Sequence, residues 1–370
     1  MSGARIGILG AGQLGLMLAQ AARDLNVGCR FYAEMQDAPA ASMGPVITGD
    51  QLARFAGGLE VVTYEWENIP VPTARRIEAI TPVQPTVRAL EASQDRLAEK
   101  TFFVELGEET ARFAPVDSRE SLDDAVAKLG LPLVLKTRRL GYDGQGQLIL
   151  TQPFELDRAW RELGDSPLIA EQWVPFVREL SIIAVRGRDG TIACYPLVEN
   201  THHGGILRSS LAPVPELAAQ TQAAAERCAI RVLEALDYVG VLAIELFDAG
   251  DLLLVNEMAP RVHNSGHLTI EGAVTSQFEN HVRAILGLPL GDTSIPRPAV
   301  MVNLIGDHPP AAELLAVPGA RLHLYGKSPR PGRKLGHVTV CADTMDQAVD
   351  RQRQIQAIVA AHQTRTESQK

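Results

Sequence analysis

Leu135-Lys136-Thr137-Arg138-Arg139-Leu140-Gly141-Tyr142-Asp143-Gly144-Gln145-Gly146-Gln147 sets a lysine and then three glycines behind an apolar run. The apolar run over 131–135 predicts a strand that leads into Lys136. A lysine brings a point charge to phosphate oxygens. Gly141, Gly144 and Gly146 follow it. Lacking a Cβ, they accept positive φ and let backbone N–H groups come close to an anion. On its own the stretch reads equally well as a glycine-rich hairpin turn. The choice between the two rests on the rest of the chain.

The bulk properties bound that choice. A chain of 370 residues is too long for one simple core, and roughly two to four domains are expected. With 46% hydrophobic and 21% charged residues the composition is that of an ordinary globular protein. A formal net charge of −9 speaks against a general nucleic-acid surface. Cys29, Cys194, Cys228 and Cys341 are far apart and form no Cys-x-x-Cys pair, which indicates neither a zinc site nor a redox motif. No apolar stretch reaches the roughly 18–20 residues of a membrane span. Gly7, Gly10, Gly12, Gln13 and Gly15 break the apolar N-terminus, which suits a signal peptide poorly. A cytoplasmic protein without a membrane partner is expected.

Outward from the glycine loop, the chain alternates strands and helices. At the N-terminus a strand over 6–9, a helix over 13–26 and strands over 28–33 and 61–64 are expected, then a helix over 72–80. Such βαβ order argues for a parallel sheet with helices on its faces. The stretch 86–107 reads as one helix. Beyond it come a strand, a helix over 121–129 starting at Ser121 and Asp124, strands over 133–136 and 147–150 around the loop, a helix over 153–163 and a strand over 168–171. Strands over 180–185, 191–198, 241–247 and 252–256 follow, interrupted by a helix over 215–236 and closed by one over 274–286. The last segment reads as strands over 299–304, 321–324 and 336–340 and a helix over 344–362. The expectation is an α/β protein with domains at 1–95, 96–295 (small central lobe about 111–174) and 296–370.

Five clusters of residues carry chemistry. Gly10-Ala11-Gly12-Gln13-Leu14-Gly15 matches the dinucleotide fingerprint, with Glu34 about 20 residues on. It reads as the site of an NAD-dependent dehydrogenase, as a site for any phosphate at a helix N-terminus, or as a tight turn without a ligand. Glu65 and Glu67 follow an apolar strand, at the end of a parallel sheet where ligands bind. They suit ribose hydroxyls or an amine, or a solvated loop. Glu245 and Glu257 each follow an apolar run, and the turn over 248–251 joins the two runs into a hairpin. Buried carboxylates are seldom left bare. These two read as ligands, with Asn256 beside them, for Mg²⁺ whose shell is completed by phosphates, or as ion-paired strand residues. Downstream, Arg261 can grip a small oxyanion and His263 can exchange a proton. The basic run from Lys327 to Arg333 and Lys334, inside an acidic protein, suggests a phosphate site or an exposed basic loop.

A glycine loop after a lysine strand, a later hairpin with two carboxylates and an N-terminal βαβ domain together resemble the ATP-grasp ligases. More narrowly the chain resembles the bacterial 5-(carboxyamino)imidazole ribonucleotide synthase family of purine biosynthesis. The carrying segments run in order over nearly the full length, and 198–200 with 205–208, and 256–261, are the most specific. The resemblance implies an ATP-grasp region behind a Rossmann-like N-terminal domain, a homodimer, ATP and Mg²⁺ as cofactors, and aminoimidazole ribonucleotide and bicarbonate as substrates. It places Arg96, Lys136, Gly141, Tyr142, Asp143, Gly144, Gln145, Gly146 and Gln147 at the phosphates. Glu171, Gln172, Trp173 and Val174 would frame the adenine, Glu179 would take the ribose, and His202 and Asn256 would lie near the nucleotide. Glu245 and Glu257 would bind Mg²⁺. Tyr142, Asp143, Arg261, His263 and Lys327 would surround bicarbonate and the amine, and Gln13, Leu14, Arg333 and Lys334 the ribose 5-phosphate. Ala11 and Gln145 depart from the family, which often has glycine and lysine there. A formate-using glycinamide ribonucleotide transformylase is the sister alternative within the same architecture.

Overall fold

The computed structural model describes residues 4–35, 38–141 and 144–367. Among them the strands form three sheets. The first is parallel, in the order β3-β2-β1-β4, with β1 (Ala4–Leu9), β2 (Gly28–Tyr32), β3 (Val46–Ile47) and β4 (Val61–Tyr64). The helix Gln13–Asp24 follows β1 and ends two residues short of the expected 26. Asn26 has φ +57°, a left-handed conformation that no helix continues through.

The stretch 86–107 is two helices, Val87–Ser93 and Arg96–Glu105, rather than one. Asp95 is extended between them, and its carboxylate accepts the N–H groups of Leu97 and Ala98. An aspartate cap outcompetes the continuing periodicity and restarts the helix at Arg96.

The second sheet is antiparallel, in the order β5-β8-β6-β7: β5 (Phe113–Val116), β6 (Leu133–Thr137), β7 (Gln147–Leu150) and β8 (Leu168–Gln172). The helix after β5 spans Arg119–Leu129, so it starts ahead of Ser121. Ser118 is its cap, and the two serine side chains close a reciprocal capping box. The glycine stretch joins β6 to β7, as a hairpin on the edge of this small lobe.

The third sheet holds β9 (Arg178–Arg186), β10 (Ile192–Cys194), β11 (Val198–His203), β12 (Ile206–Ala212), β13 (Gly240–Asp248), β14 (Leu253–Ala259), β15 (Ala299–Ile305), β16 (Ala320–Leu324) and β17 (Lys334–Cys341). Its order is β14-β13-β9-β11-β12-β15-β17-β16, with β10 on β9. The single strand expected over 191–198 is broken in two around Pro196, which has no N–H for a ladder. Pairing of β12 with β15 carries this sheet without a break into the C-terminal segment. One face packs Leu180, Ile182, Leu242 and Ile244 against the helix Ala219–Ala235. The opposite face packs Ile183, Val185, Val241 and Ala243 against the helices Gln13–Asp24 and Gln277–Leu286. That opposite face turns polar toward Ser181, Glu179 and Glu245, and there the functional residues gather.

Candidate active site

Glu245 on β13 stands directly opposite Glu257 on β14. The next pair is Leu246 with Val255, so Asn256 is an extra residue in the ladder. A bulge of this kind sets two residues of one strand against one of the other. Asn256 and Glu257 therefore share the face of Glu245, and Asn256 Oδ1 is buried without a hydrogen-bond partner. Burial, and the charge of Glu257, push the Glu245 carboxyl up to about 7. Burial raises Glu257 as well, but Arg96 and Lys136 outweigh it and hold that carboxyl below its ordinary range. Two facing carboxylates and an orphan carbonyl oxygen are a hard-oxygen set that fits a divalent cation. No ready-made cluster of three His, Cys, Asp or Glu side chains exists among the described residues. Oxygens of a bound ligand would have to complete the shell.

Cations line the other wall. Arg96 Nη1 bonds to Glu257, and Arg96 Nη2 donates to the carbonyl of Gly141 at 3.4 Å. One guanidinium thus ties the carboxylate hairpin to the glycine loop. Lys136 Nζ donates to Glu171 at 3.0 Å, and Lys100 Nζ lies 3.4 Å from the same oxygen. Burial pushes Glu171 up, yet the two lysines bring its carboxyl down to about 2. Glu99 accepts the N–H of Met258 at 2.7 Å, while burial and Glu257 push its carboxyl up to about 8. Glu99 and Lys100 are absent from the sequence expectations. With Asp95 as the cap, Arg96, Glu99 and Lys100 stand at i, i+3 and i+4 of a new helix, on one face.

The glycine loop closes over this wall. Gly144 has φ +77°, and a Cβ there would lie 2.8 Å from Gly204 O and Gly205 Cα, in the β11–β12 turn. Gly146, at φ +71°, backs onto Thr137. Tyr142 and Asp143 lie outside the described residues. Within the segment expected at the adenine, Gln172 N–H donates to Arg112 O at 2.8 Å and Trp173 N–H to Pro132 O at 3.2 Å. The Glu171 side chain serves the lysines.

On the sheet face, His202 Nδ1 lies 2.7 Å from Glu179. Burial lowers the His202 pKa, but Glu179 and Glu245 raise it above its ordinary value. His263 Nε2 is 3.6 Å from Glu245, and its Nδ1 is 2.9 Å from Ser265 Oγ. Burial and the charges of Arg261 and Lys334 keep His263 neutral, with its pKa well below the usual. Arg261 is partly engaged already, by Glu67 and by the carbonyl of Val262. Lys334, expected at a substrate phosphate, acts electrostatically on Glu245, His202 and His263.

The N-terminal glycine loop turns out to hold the chain's own anion. Glu65 accepts the N–H of Gly12 and, at 2.6 Å, that of Gly15. Its carboxylate sits at the N-terminus of the helix Gln13–Asp24, where a dinucleotide pyrophosphate would lie. A Cβ on Gly12 would come 2.7 Å from Glu65 Oε1. Those glycines make room for a carboxylate, and Glu34 is exposed, so the dehydrogenase reading fails. Neither a solvated loop nor an open ribose site describes Glu65. Leu14 turns its side chain into the core, leaving only its backbone to a ligand. Gln13 Oε1 accepts from Lys327 Nζ at 2.5 Å, and the charge of Glu65 acts on the same lysine. Arg333 is folded back on Ser328, at 3.1 Å to its carbonyl and 3.0 Å to its hydroxyl.

Residues 3–94 match the ribonucleotide synthetase preATP-grasp domain, 101–278 the ATP-grasp domain and 299–351 the phosphoribosylaminoimidazole carboxylase C-terminal domain. An N5-carboxyaminoimidazole ribonucleotide synthase of Pseudomonas aeruginosa is 49% identical over 345 residues, covering 92% of this chain and 95% of that protein. The chain belongs to the N5-carboxyaminoimidazole ribonucleotide synthase family. The crystal structure of the Thermus thermophilus family member is 53% identical and matches with a TM-score of 0.91, covering 95% of this chain and 98% of that one. The Aspergillus clavatus member, in complex with ADP and 5-aminoimidazole ribonucleotide, is 30% identical with a TM-score of 0.90, covering 98% and 100%. Membership in the N5-carboxyaminoimidazole ribonucleotide synthase family bears out the ATP-grasp architecture expected from the lysine strand and the carboxylate hairpin. It sets aside the formate-using alternative. Among the described residues no helix is long and apolar enough to cross a membrane.

Proposed function

We propose that the chain couples ATP cleavage to carboxylation of the exocyclic amine of 5-aminoimidazole ribonucleotide by bicarbonate. The products are 5-(carboxyamino)imidazole ribonucleotide, ADP and phosphate. The observation that carries this reading is Arg96, which joins the Glu245–Glu257 pair to the glycine loop and so brings cations, carboxylates and a lid to one place. Lys136 and Arg96, with Gly141, Gly144, Gln145, Gly146 and Gln147, bind the phosphates. The backbone of 171–174 frames the adenine, with the Val174 N–H as the donor left after Gln172 and Trp173 are engaged. Glu179 and His202 take the ribose. Glu245, Glu257 and Asn256 hold Mg²⁺, which supplies charge neutralisation at the phosphates when bound.

At the other end, Gln13, Arg333 and Lys334 hold the ribose 5-phosphate. Arg261, neutral His263, Lys327, Tyr142 and Asp143 surround bicarbonate and the amine. Bicarbonate oxygen bonds to the γ-phosphorus while the bond to the ADP oxygen breaks. Carboxyphosphate then loses phosphate as CO₂ forms. The amine nitrogen bonds to that carbon, and its proton passes to a nearby base, for which Asp143 is the candidate. The Gly144 contact with the β11–β12 turn keeps water from the labile intermediate. A homodimer is part of this reading by family resemblance. The test is ADP release with bicarbonate or formate and with aminoimidazole or glycinamide ribonucleotide. Release that needs bicarbonate and aminoimidazole ribonucleotide is expected. Release that follows glycinamide ribonucleotide and formate sinks the reading.

A further inference from the structure

The β11–β12 hairpin has a bulge of its own. Thr201 pairs with Ser209 but His202 pairs with Leu207, so Arg208 is an extra residue. As at Asn256, the extra residue shares the face of the residue it opposes, and bulges commonly re-aim side chains beside active sites. Arg208 is thereby set beside His202, on the face that carries Glu179 and Glu245. The register on both sides agrees: Leu207 packs in the cluster of that face, and Ser210, two residues on, hydrogen-bonds to Asn200 at 2.8 Å. Arg208 Nε is buried without a hydrogen-bond partner. No ion pair joins Arg208 to a carboxylate of a described residue. A buried, unpaired guanidinium N–H is costly. The two bulges on this face thus present one orphan acceptor, Asn256 Oδ1, and one orphan donor, Arg208 Nε. The acceptor suits a cation and the donor an oxyanion. Arg208 also lies just past Gly204 and Gly205, the turn on which the tip of the glycine loop rests.

We propose that Arg208 is a catalytic residue that binds the phosphoryl group in transfer from ATP to bicarbonate. The inference rests on the reaction proposed above. A planar guanidinium is suited to two oxygens of a phosphoryl group, and it acts most strongly as charge moves onto them in the transition state. ADP lacks that group, so Arg208 contributes little to ADP binding.

The test uses the full-length enzyme with Arg208→Met and Arg208→Lys. Loss of a donor aimed at a developing charge reduces kcat by about 100-fold or more in Arg208→Met, and Arg208→Lys recovers part of it. Kd for ADP and KM for aminoimidazole ribonucleotide stay within about twofold of wild type. Inorganic phosphate, titrated into the Mg²⁺–ADP complex, binds wild type and loses affinity in Arg208→Met. Wild-type kcat in either variant overturns the assignment, as does a loss of ADP affinity as large as the loss of kcat. If Arg208→Met does not fold, Arg208→Lys and its phosphate titration decide in the same way. Should wild type fail to turn over bicarbonate and aminoimidazole ribonucleotide, the function above falls. Phosphate binding to the ADP complex still judges Arg208 separately.

Discussion

At Gly12 and Glu65 a single carboxylate changes the meaning of a motif. Backbone N–H groups at a helix N-terminus can donate to any anion, and here the anion is supplied 53 residues away in the chain. Gly12→Ala puts a methyl group 2.7 Å from Glu65 Oε1. It is expected to cost roughly 1–3 kcal/mol of stability, read from urea unfolding. It also raises KM for aminoimidazole ribonucleotide, because Gln13 beside it holds Lys327. An unchanged midpoint with unchanged KM counts against Glu65 as the internal ligand of the loop. At the other end of the site, Glu257→Gln removes one of two facing carboxylates and the partner of Arg96. Turnover is expected to fall by about 1,000-fold, and Mg²⁺–ATP affinity with it, measured by calorimetry. Full turnover in Glu257→Gln rules out the metal assignment. Neither residue's partner was legible from sequence. Glu65 reads as a strand-end carboxylate, and what it faces depends on how the chain folds back.

The glycine hairpin between β6 and β7 does its work as a unit, as a flap laid on the β11–β12 turn. Gly144 is its contact point, and both its positive φ and the nearness of Gly204 and Gly205 demand a glycine. Gly144→Ala is expected to leave global stability nearly unchanged, since the loop lies outside the cores, and to spoil closure. Water then reaches the intermediate. The expected signature is more ADP than carboxylated product, a ratio measured in one reaction; a ratio that stays at one removes the closure argument. Elements of this kind were legible where composition shouts: the lysine strand, the glycines and the two apolar runs ending in Glu245 and Glu257. The facing of those glutamates was not legible, because it depends on the Asn256 bulge, a feature of pairing rather than of either strand. The break at Asp95 was hidden by apolar periodicity that runs on through Gln94 and Asp95. β12 was missed because Ser209 and Ser210 interrupt its apolar pattern, and their buried hydroxyls are satisfied only across the sheet or from the C-terminal helix.

Across the whole molecule, the seams between its parts are lined with neutral histidines. His281 accepts the N–H of Val241 at Nδ1, 3.1 Å away, and its Nε2 lies 2.8 Å from Thr63 Oγ1. It thereby pins the first sheet to the third. His267 and His337 meet where the C-terminal strands pack on the segment after β14, with ring centres 4.9 Å apart, and Tyr325 OH lies 2.7 Å from His337 Nδ1. Burial pushes His281 and His267 down to about 3, and puts His263 and His337 well below their usual value. These groups are uncharged in the folded state but take up protons in the unfolded chain below about pH 6.5. Their contribution is therefore whole above that pH and is lost progressively as pH falls toward 3. His202, raised by Glu179, opposes the trend. At pH 5 each strongly depressed histidine removes about 2 kcal/mol, from 1.5 units at 1.36 kcal/mol each. Glu99 and Glu245, whose carboxyls are raised to about 8 and about 7, hold protons in the folded state that the unfolded chain has released, so they oppose the trend as well. The urea midpoint is expected to rise slightly from pH 8 to 7 and, with four depressed histidines set against these groups, to fall from pH 6 to 5. His281→Gln, which lacks the titration, is expected to be less stable than wild type at pH 8 and to show a shallower slope by about one proton's worth. A His281→Gln slope equal to that of wild type between pH 6 and 5 excludes a neutral His281 as an acid-sensitive joint of the molecule.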